Sequence, residues 1–425
     1  MIAAPTAPAT VEPALARFGL RAGRTLFGLA AAFLFVYFFT EADLISYRRG
    51  WSPLRPTFAL IAALVPLAVL LLAWHHARLA EGLQLAARSA LVWAPLAGLA
   101  GAAALASSLG PLGFARNFHY VALYVYDLAV FFLALALSLS ATVRRWFRPM
   151  VLAALALLVA TVAVDAQWPG TFSKVAVRAA GLPQEPNASA FLMVLGAALT
   201  LRYRRFAPFD LAVLGAVGLA LFATLSRGGL LLFALLVLFY LGTLVASVRR
   251  EQRLRLLLGL ALGGALVAAL ALGVRSLFRE ERASIYTLAK TQERLAMLTQ
   301  VDRFLDDSED RQLILGIYFA AVAERPVLGY GAAFPYLQEK GPHNRYLHEW
   351  VSGGLLGLLA FLGFLLGGTL LFLARRSRTG LAVVLLLAAW AFFSHTFLDY
   401  RAVQLPLGLL VGSVLAGRHE EVERP

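Results

Sequence analysis

The chain consists of long apolar runs separated by short polar connections. An α-helix needs roughly 20 residues to cross the hydrocarbon core of a bilayer, and these runs are continuous rather than alternating, which favours helices over barrel strands. The predicted helices lie at 25–42, 57–74, 89–107, 119–141, 150–165, 188–201, 210–225, 229–247, 255–274, 350–373, 380–395 and 402–417. We therefore expect an all-α, polytopic integral membrane protein with about twelve transmembrane helices, forming one domain over residues 1–425.

The composition also indicates a membrane protein. Hydrophobic residues make up 60% of the 425 residues and charged residues only 15%, whereas a soluble domain carries roughly 25% charged residues. In a soluble protein the net charge of +14 would suggest a nucleic-acid partner, but here the basic residues lie in short clusters between apolar runs. The chain has no cysteine, which excludes disulfides and thiolate metal sites.

The connections alternate between arginine-rich and arginine-poor segments. The arginine-rich ones lie at 17–24, 78–88, 144–148, 202–205, 249–255, 375–378 and 418. Cytoplasmic loops of membrane proteins carry the excess of Lys and Arg. We therefore expect both termini in the cytoplasm and the long loop at 275–347 on the extracytoplasmic, periplasmic side, between membrane helices 9 and 10.

This loop is the only sizeable polar segment of the sequence. Its first part, to about Asp307, is rich in residues that favour helix. The residues before Glu309 predict the start of a second helix there, which would run to Glu324 and end at Pro326. Gly329 and the glycine two residues later predict a turn.

His343 is the first candidate for chemistry, because it lies at the predicted mouth of a membrane helix. An imidazole with a pKa near 6.5 can accept a proton at neutral pH. A surface histidine without a role is the alternative. His348, five residues further on, is off the helical face that a shared metal would need, so no metal site is predicted.

Arg227 is the second candidate, since it lies between two predicted helices with almost no loop and precedes two glycines. Its side chain either snorkels to lipid headgroups or binds a phosphate, which adjacent glycines would allow to approach the backbone. Other extracytoplasmic arginines are either further candidates or a solvated face: Arg178, Arg294, Arg303, Arg311 and Arg345.

Two acids, Asp127 and Asp165, lie within or at the end of predicted membrane helices. Intramembrane acids are typical of transporters and proton relays. No series of such residues follows along the chain, so the sequence gives a relay only weak support.

Several segments together resemble the O-antigen ligase and polymerase superfamily of bacterial cell-envelope glycan assembly. The strongest similarity is a Pro-x-x-Gly-x-Gly turn at 326–331, a His-Asn-x-x-Leu stretch at 343–347 and a glycine-rich helix start at 353–357. Pro186-Asn187 resembles the family's Pro-Asn loop, and the residues around Arg227 resemble its Ser-Arg-Gly helix junction. The similar segments span about 170 to 373, and the N-terminal half agrees only in helix count.

The resemblance implies a glycosyltransferase that takes its glycan from undecaprenyl diphosphate at the outer face of the inner membrane, with no metal or other cofactor. Arginines would neutralise the departing diphosphate, and a histidine would take the proton of the acceptor hydroxyl, with inversion at the anomeric carbon. His343 would be the catalytic residue. The donor diphosphate would be bound by Arg227, Arg311, Arg178 and Arg345. Further substrate-binding candidates are Asn187, Asn344, Tyr346, Arg294 and Arg303. Arg311 fits best as the essential loop arginine, because an apolar helix and then the turn follow it.

The acceptor separates the functional alternatives. A ligase transfers the glycan to lipid A–core, and a polymerase transfers it to another lipid-linked repeat unit. A transporter of lipid-linked sugars would instead need polar groups along the bilayer midplane, whereas the candidates here gather on one face. The sequence thus favours a ligase-type transferase with glycolipid substrates and membrane lipid as partners, and no nucleic acid.

Overall fold

The structure is a computed structural model that describes residues 12–74, 79–175, 178–247, 309–396 and 401–416. All regular secondary structure within these ranges is helical, as predicted. The helices are α1 (Glu12–Phe39), α2 (Ala42–Arg48), α3 (Pro56–Trp74), α4 (Leu79–Arg88), α5 (Ala90–Leu109), α6 (Gly113–Leu137), α7 (Ala141–Gln167), α8 (Pro186–Thr200), α9 (Pro208–Thr224), α10 (Arg227–Ser247), α11 (Glu309–Glu324), α12 (Phe334–Leu337), α13 (Arg345–Ala374), α14 (Arg378–Trp390) and α15 (Arg401–Leu415).

Five of the described helices, α5, α6, α7, α10 and α13, are long and apolar enough to cross a membrane. A sixth span is obtained if α1 and α2, which are bent by 71° at a short break, are counted together. Shorter apolar helices of 10–17 residues lie in α3, α8, α9, α11, α14 and α15. The predicted count of twelve membrane helices is therefore not confirmed, and the helix predicted at 255–274 falls outside the described residues.

The helices pack around a large apolar core, and a second, smaller apolar cluster lies between α11 and the start of α13. The largest contact is between α13 and α5, followed by α15 with α6, α5 with α6, and α1 with α7. Helix α8 lies deepest in the bundle, because all of its residues except Asn187 are buried. This helix therefore runs through the core and exposes a single polar side chain at its N-terminal end.

Arginine-rich connections meet at the other end of α8. The Arg148 Nε donates to the carbonyl of Thr200 at 2.9 Å, and an Arg378 guanidinium nitrogen donates to the carbonyl of Tyr203 at 2.9 Å. The connections around 148, 200–205 and 378, which the arginine pattern assigns to one side, are thus in contact with one another. The N-terminal ends of α8, α10 and α13 lie away from them.

Helix α13 is broken near its start, at Gly354, where φ is 63° and ψ is −159°. The break frees two helix carbonyls for other partners. The carbonyl of Val351 accepts from the Tyr330 N–H at 2.8 Å, and that of Ser352 accepts from the Gly331 N–H at 3.0 Å. The Pro-x-x-Gly-x-Gly turn is therefore hydrogen-bonded into the break in the membrane helix.

Two boundaries in the long loop test the sequence predictions. Helix α11 extends over Glu309–Glu324, as predicted, and precedes Pro326. Helix α13 begins at Arg345 instead of 350, because the Asn344 side chain accepts from the Leu347 N–H at 3.0 Å and caps the helix. The part of the loop before 309 lies outside the described residues.

Candidate functional site

Asn187 connects two segments at the exposed end of α8. Its side-chain oxygen accepts a hydrogen bond from the Arg178 guanidinium at 2.7 Å and another from the Ser226 hydroxyl at 2.9 Å. The Arg178 guanidinium and the Ser226 hydroxyl are both donors, so they bind the oxygen of the Asn187 amide and not its NH₂. The Asn187 side chain is exposed. The Pro-Asn loop and the Ser-Arg-Gly junction therefore form one polar group, which we call the anion group: Arg178, Asn187, Ser226 and Arg227.

Helix termini add positive potential to the anion group. Ser226 precedes α10 and accepts from the Gly229 N–H at 3.2 Å, which caps the helix. Arg227 is the first residue of α10 and is partly exposed, and Asn187 lies in the first turn of α8. Since helix N-termini carry partial positive charge and free N–H groups, two of them beside arginines favour an anionic ligand.

Arg178 is positioned by a loop that folds around Asp165. The buried carboxylate of Asp165 accepts from the backbone N–H groups of Phe172 at 3.0 Å and Ala180 at 2.7 Å. The Nε of Arg178 donates to the carbonyl of Thr224 at 2.9 Å, which ties the loop to the end of α9. Asp165 thus has a structural explanation and gives no support to a proton relay.

His343 lies on the surface, in the loop that leads into α13. It is exposed and has a positive φ of 47°, a conformation in which histidine is enriched compared with most residues. Its ring lies edge-on to that of His395, with the ring centroids 5.5 Å apart. An exposed imidazole with a fixed neighbour is suited to meet a substrate hydroxyl.

His395, which follows α14, was not among the candidates from the sequence. Its ring also stacks on His348, with centroids 5.7 Å apart, and a Cβ added at Gly341 would overlap it. Burial, followed by the nearby His343 and Arg345, lowers the pKa of His395 to about 3. His395 is therefore a neutral ring at physiological pH and a much weaker base than an ordinary histidine.

A buried polar network lies behind these rings. Arg345, which is fully buried, pairs with Glu349 at 2.6 Å and lies over the ring of Tyr124 at 5.6 Å. The Tyr124 hydroxyl donates to Glu349 at 3.1 Å, and it lies 3.4 Å from the Nε2 of His348. Pairing satisfies charges that would otherwise be costly to bury, so the network supports the first turn of α13.

The loop after α14 connects the histidines to the anion group. Arg345 donates to the carbonyl of His395 through its side chain and to that of Ala391 through its backbone, at 2.7 Å. On the other side, a Cβ at Gly228 would lie 3.0 Å from the Trp390 ring. Because Gly228 follows Arg227, one short stretch of chain contacts both groups, and they lie at the same end of the bundle.

The remaining candidates from the sequence either stabilise local structure or have side chains outside the described part of the structure. Tyr346 donates its hydroxyl to the carbonyl of Ala388 at 2.9 Å, and Asn344 caps α13, so both hold local structure. Arg311 lies in the first turn of α11, and the placement of its side chain is outside the described part of the structure, as are Arg294 and Arg303. Among the described residues, no group of three or more His, Asp or Glu side chains is placed to hold a metal ion.

Comparison with known proteins gives one family match. Residues 211–362 match the family model described as O-antigen ligase. This match supports an assignment to the O-antigen ligase superfamily. No curated protein matches the chain.

The O-antigen ligase match covers only part of the site. It contains Ser226, Arg227, His343, Arg345, His348 and Glu349, whereas Tyr124, Arg178, Asn187 and His395 lie outside it. The O-antigen ligases are a glycosyltransferase-like ligase family, and lipid-linked glycans and glycolipids are the substrates that this family implies in general. Since residues on both sides of the match contact residues inside it, the site extends beyond the segment that carries the family signature.

Proposed function

We propose that the protein is an O-antigen ligase-type glycosyltransferase that moves a glycan from undecaprenyl diphosphate to lipid A–core. The observation that carries this proposal is the position of the anion group and His343 at one end of the bundle, joined by the loop after α14. Donor phosphates and an acceptor hydroxyl need these two kinds of group close together.

The transfer is a single displacement. The acceptor hydroxyl oxygen attacks the anomeric carbon of the donor sugar, and the bond from that carbon to the diphosphate oxygen breaks. His343 takes the hydroxyl proton as the new bond forms. The diphosphate leaves from the face opposite to the attack, so the configuration at the anomeric carbon is inverted.

Arg178, Arg227 and Arg311 neutralise the charge that develops on the leaving diphosphate, without a metal ion. A guanidinium can donate two parallel hydrogen bonds to phosphate oxygens, and the N-termini of α8 and α10 add to this potential. Arg345 is paired with Glu349 inside the protein. Its contribution is therefore to hold α13 and His395 in place.

The proposed orientation puts both termini in the cytoplasm and the site at the periplasmic face of the inner membrane. It is supported by the arginine-rich connections, which contact one another at the end of α8 away from Asn187. Reporter fusions after Arg205 and Arg376 should score cytoplasmic, and a fusion near Glu309 should not. A cytoplasmic score near Glu309 would show that the protein has the opposite orientation in the membrane.

Reconstitution with defined substrates tests the reaction itself. The purified protein in proteoliposomes is given one undecaprenyl diphosphate-linked glycan and either lipid A–core or a second copy of the donor. Extension of lipid A–core is the result we expect. Extension of the second donor would identify an O-antigen or exopolysaccharide polymerase, which uses the same groups.

A transporter for lipid-linked sugars is the alternative from another class. Its substrate would have to pass polar groups near the bilayer midplane. The residues of the anion group and the histidines instead gather at one end of the described helices. Movement of labelled donor across the membrane without any new glycosidic bond would support the transporter and contradict the transferase.

A further inference from the structure

A pair of tyrosines adjoins the histidines and has no role in the mechanism above. Tyr120 of α6 and Tyr336 of α12 stack with centroids 4.5 Å apart and planes 16° apart. Tyr336 in turn lies 6.4 Å from the ring of His395 and 5.6 Å from that of His348. A continuous series of rings thus leads from His343 through His395 to the tyrosine pair.

The segment that carries Tyr336 is fixed from several sides. The N–H of Ala333 donates to the Asn117 side-chain oxygen at 2.7 Å, and Asn117 is fully buried in α6. The Tyr318 hydroxyl of α11 donates to the carbonyl of Lys340 at 3.0 Å. Because Asn117 lies on the same helix as Tyr120, the two tyrosines are held as one unit, and a ligand that binds them meets a preorganised surface.

The pair lies at the edge of the apolar core, against which Tyr120 packs. Tyr120 and Tyr336 are both half-buried, while the neighbouring His119 is exposed. By contrast Phe118, two residues before Tyr120, is 60% exposed and carries no polar group. A tyrosine offers a flat apolar face together with a hydroxyl at its rim. A sugar ring has the complementary surface, with apolar C–H faces and hydroxyls around its edge.

The contacts also separate the pair from the anion group. The anion group is reached from the histidines through Trp390 and Gly228, on α14 and α10. The tyrosine pair is reached through Tyr336, on α12. A substrate at the anion group and a substrate at the tyrosine pair would therefore approach His343 from different elements of the bundle, as donor and acceptor must.

We propose that Tyr120 and Tyr336 bind a sugar ring of the acceptor and direct its hydroxyl to His343. This inference rests on the proposed transfer reaction. It makes the acceptor a saccharide that is recognised through its ring, whatever lipid carries it.

Steady-state kinetics with each substrate varied separately test the inference. Tyr336→Leu and Tyr120→Leu should raise KM for lipid A–core about three- to tenfold, the range expected for one lost aromatic contact. KM for the donor should not change. Tyr336→Phe keeps the ring and should recover most of the lost affinity. Phe118→Leu, a change in an exposed ring on the same helix, should have no effect on either KM.

A binding measurement identifies the occupant directly. Saturation-transfer NMR with lipid-free core oligosaccharide should show contact with the wild-type protein and a weaker signal with Tyr336→Leu. If the leucine variants leave acceptor KM unchanged while the wild type transfers glycan, the inference fails and the proposed function stands. If only the intact glycolipid binds, the pair holds acyl chains and the inference is also wrong. If the wild-type protein transfers no glycan, the proposed function itself is contradicted.

Discussion

The side-chain oxygen of Asn187 accepts the Ser226 hydroxyl at 2.9 Å, although the two residues are 39 positions apart. Each belongs to a short motif that carries little information alone. Their contact shows that the motifs form a single structural unit, with Arg178 as its third member. The consequences can be tested at each residue.

Asn187→Ala should lower transfer by about tenfold, mainly by raising KM for the donor. The change removes the acceptor that holds both Arg178 and Ser226, and hydrogen bonds to charged groups contribute about 1.5–3 kcal/mol. Initial rates at varied donor concentration measure the effect. Glu185→Ala, an exposed residue two positions earlier, should stay within about twofold of wild type. Equal losses in both variants would contradict a specific role for Asn187.

Arg227→Lys and Arg311→Lys should each lose most transfer activity while the protein still inserts into the membrane. Lysine keeps the charge but cannot form the two parallel hydrogen bonds of a guanidinium. Turnover in proteoliposomes is the measurement, with Arg116→Lys at an exposed position of α6 as the control. Near-normal turnover of Arg311→Lys would mean that a positive charge alone is sufficient.

His343→Ala should reduce turnover by about 10²–10⁴-fold, the usual contribution of a general base, and leave donor binding largely intact. The wild-type rate should fall as the pH drops through the imidazole pKa, since the protonated ring cannot accept a proton. His343→Gln keeps a polar side chain of similar size. If the glutamine variant is active with an unchanged pH profile, His343 has only a structural role and the base lies elsewhere.

Gly341→Ala should displace the ring of His395, because the new Cβ would overlap it. His343 packs against that ring, so kcat should fall by about tenfold or more with little change in either KM, as expected for a small misplacement of a catalytic group. Gly242→Ala on α10 is the matched control, since among the described residues no atom beyond the adjoining backbone of α10 lies within 4 Å of the added Cβ. A normal kcat for Gly341→Ala would show that the contact between the two histidines is unimportant for turnover.

The folded protein should lose stability as the pH falls below about 6.5, in part because of His395. Its pKa is about 3 in the folded state, whereas an unfolded histidine titrates near 6.5. Between these values the unfolded chain binds a proton that the folded protein does not, so acidification favours unfolding. His395→Asn cannot titrate, and its Tm should fall less than that of wild type between pH 7 and pH 5. An equal fall in both proteins would assign the effect to other groups.

Much of the helical architecture follows from hydropathy alone. The boundaries of α11 were predictable from Glu309 and Pro326, because acidic N-terminal residues and a following proline are local signals. The start of α13 was not, since Arg345, His348 and Glu349 look like loop residues in the sequence. Inside the bundle their charges and hydrogen-bonding groups are paired with one another and with Tyr124. This pairing depends on tertiary contacts, which a hydropathy pattern does not contain.

Individual residues of the candidate site were predictable from the sequence, but the contacts between them were not. His343 and Arg227 stand out because they interrupt apolar sequence at helix ends. His395 was placed inside a helix predicted at 380–395, whereas α14 ends at Trp390, so its exposure to the site could not be seen. The polar pair Ser394-His395 at the end of that apolar run was the available signal. The link from Asn187 to Ser226 required knowledge of which helix ends meet.

The break in α13 limits which segments related proteins can exchange. The freed carbonyls of Val351 and Ser352 depend on N–H groups from residues 330 and 331, and a buried carbonyl left without a hydrogen bond costs about 1–3 kcal/mol. A chimaera that imports the loop without the glycine break, or the break without the loop, would leave these groups unmatched. Inheritance of this loop is therefore tied to inheritance of the following helix.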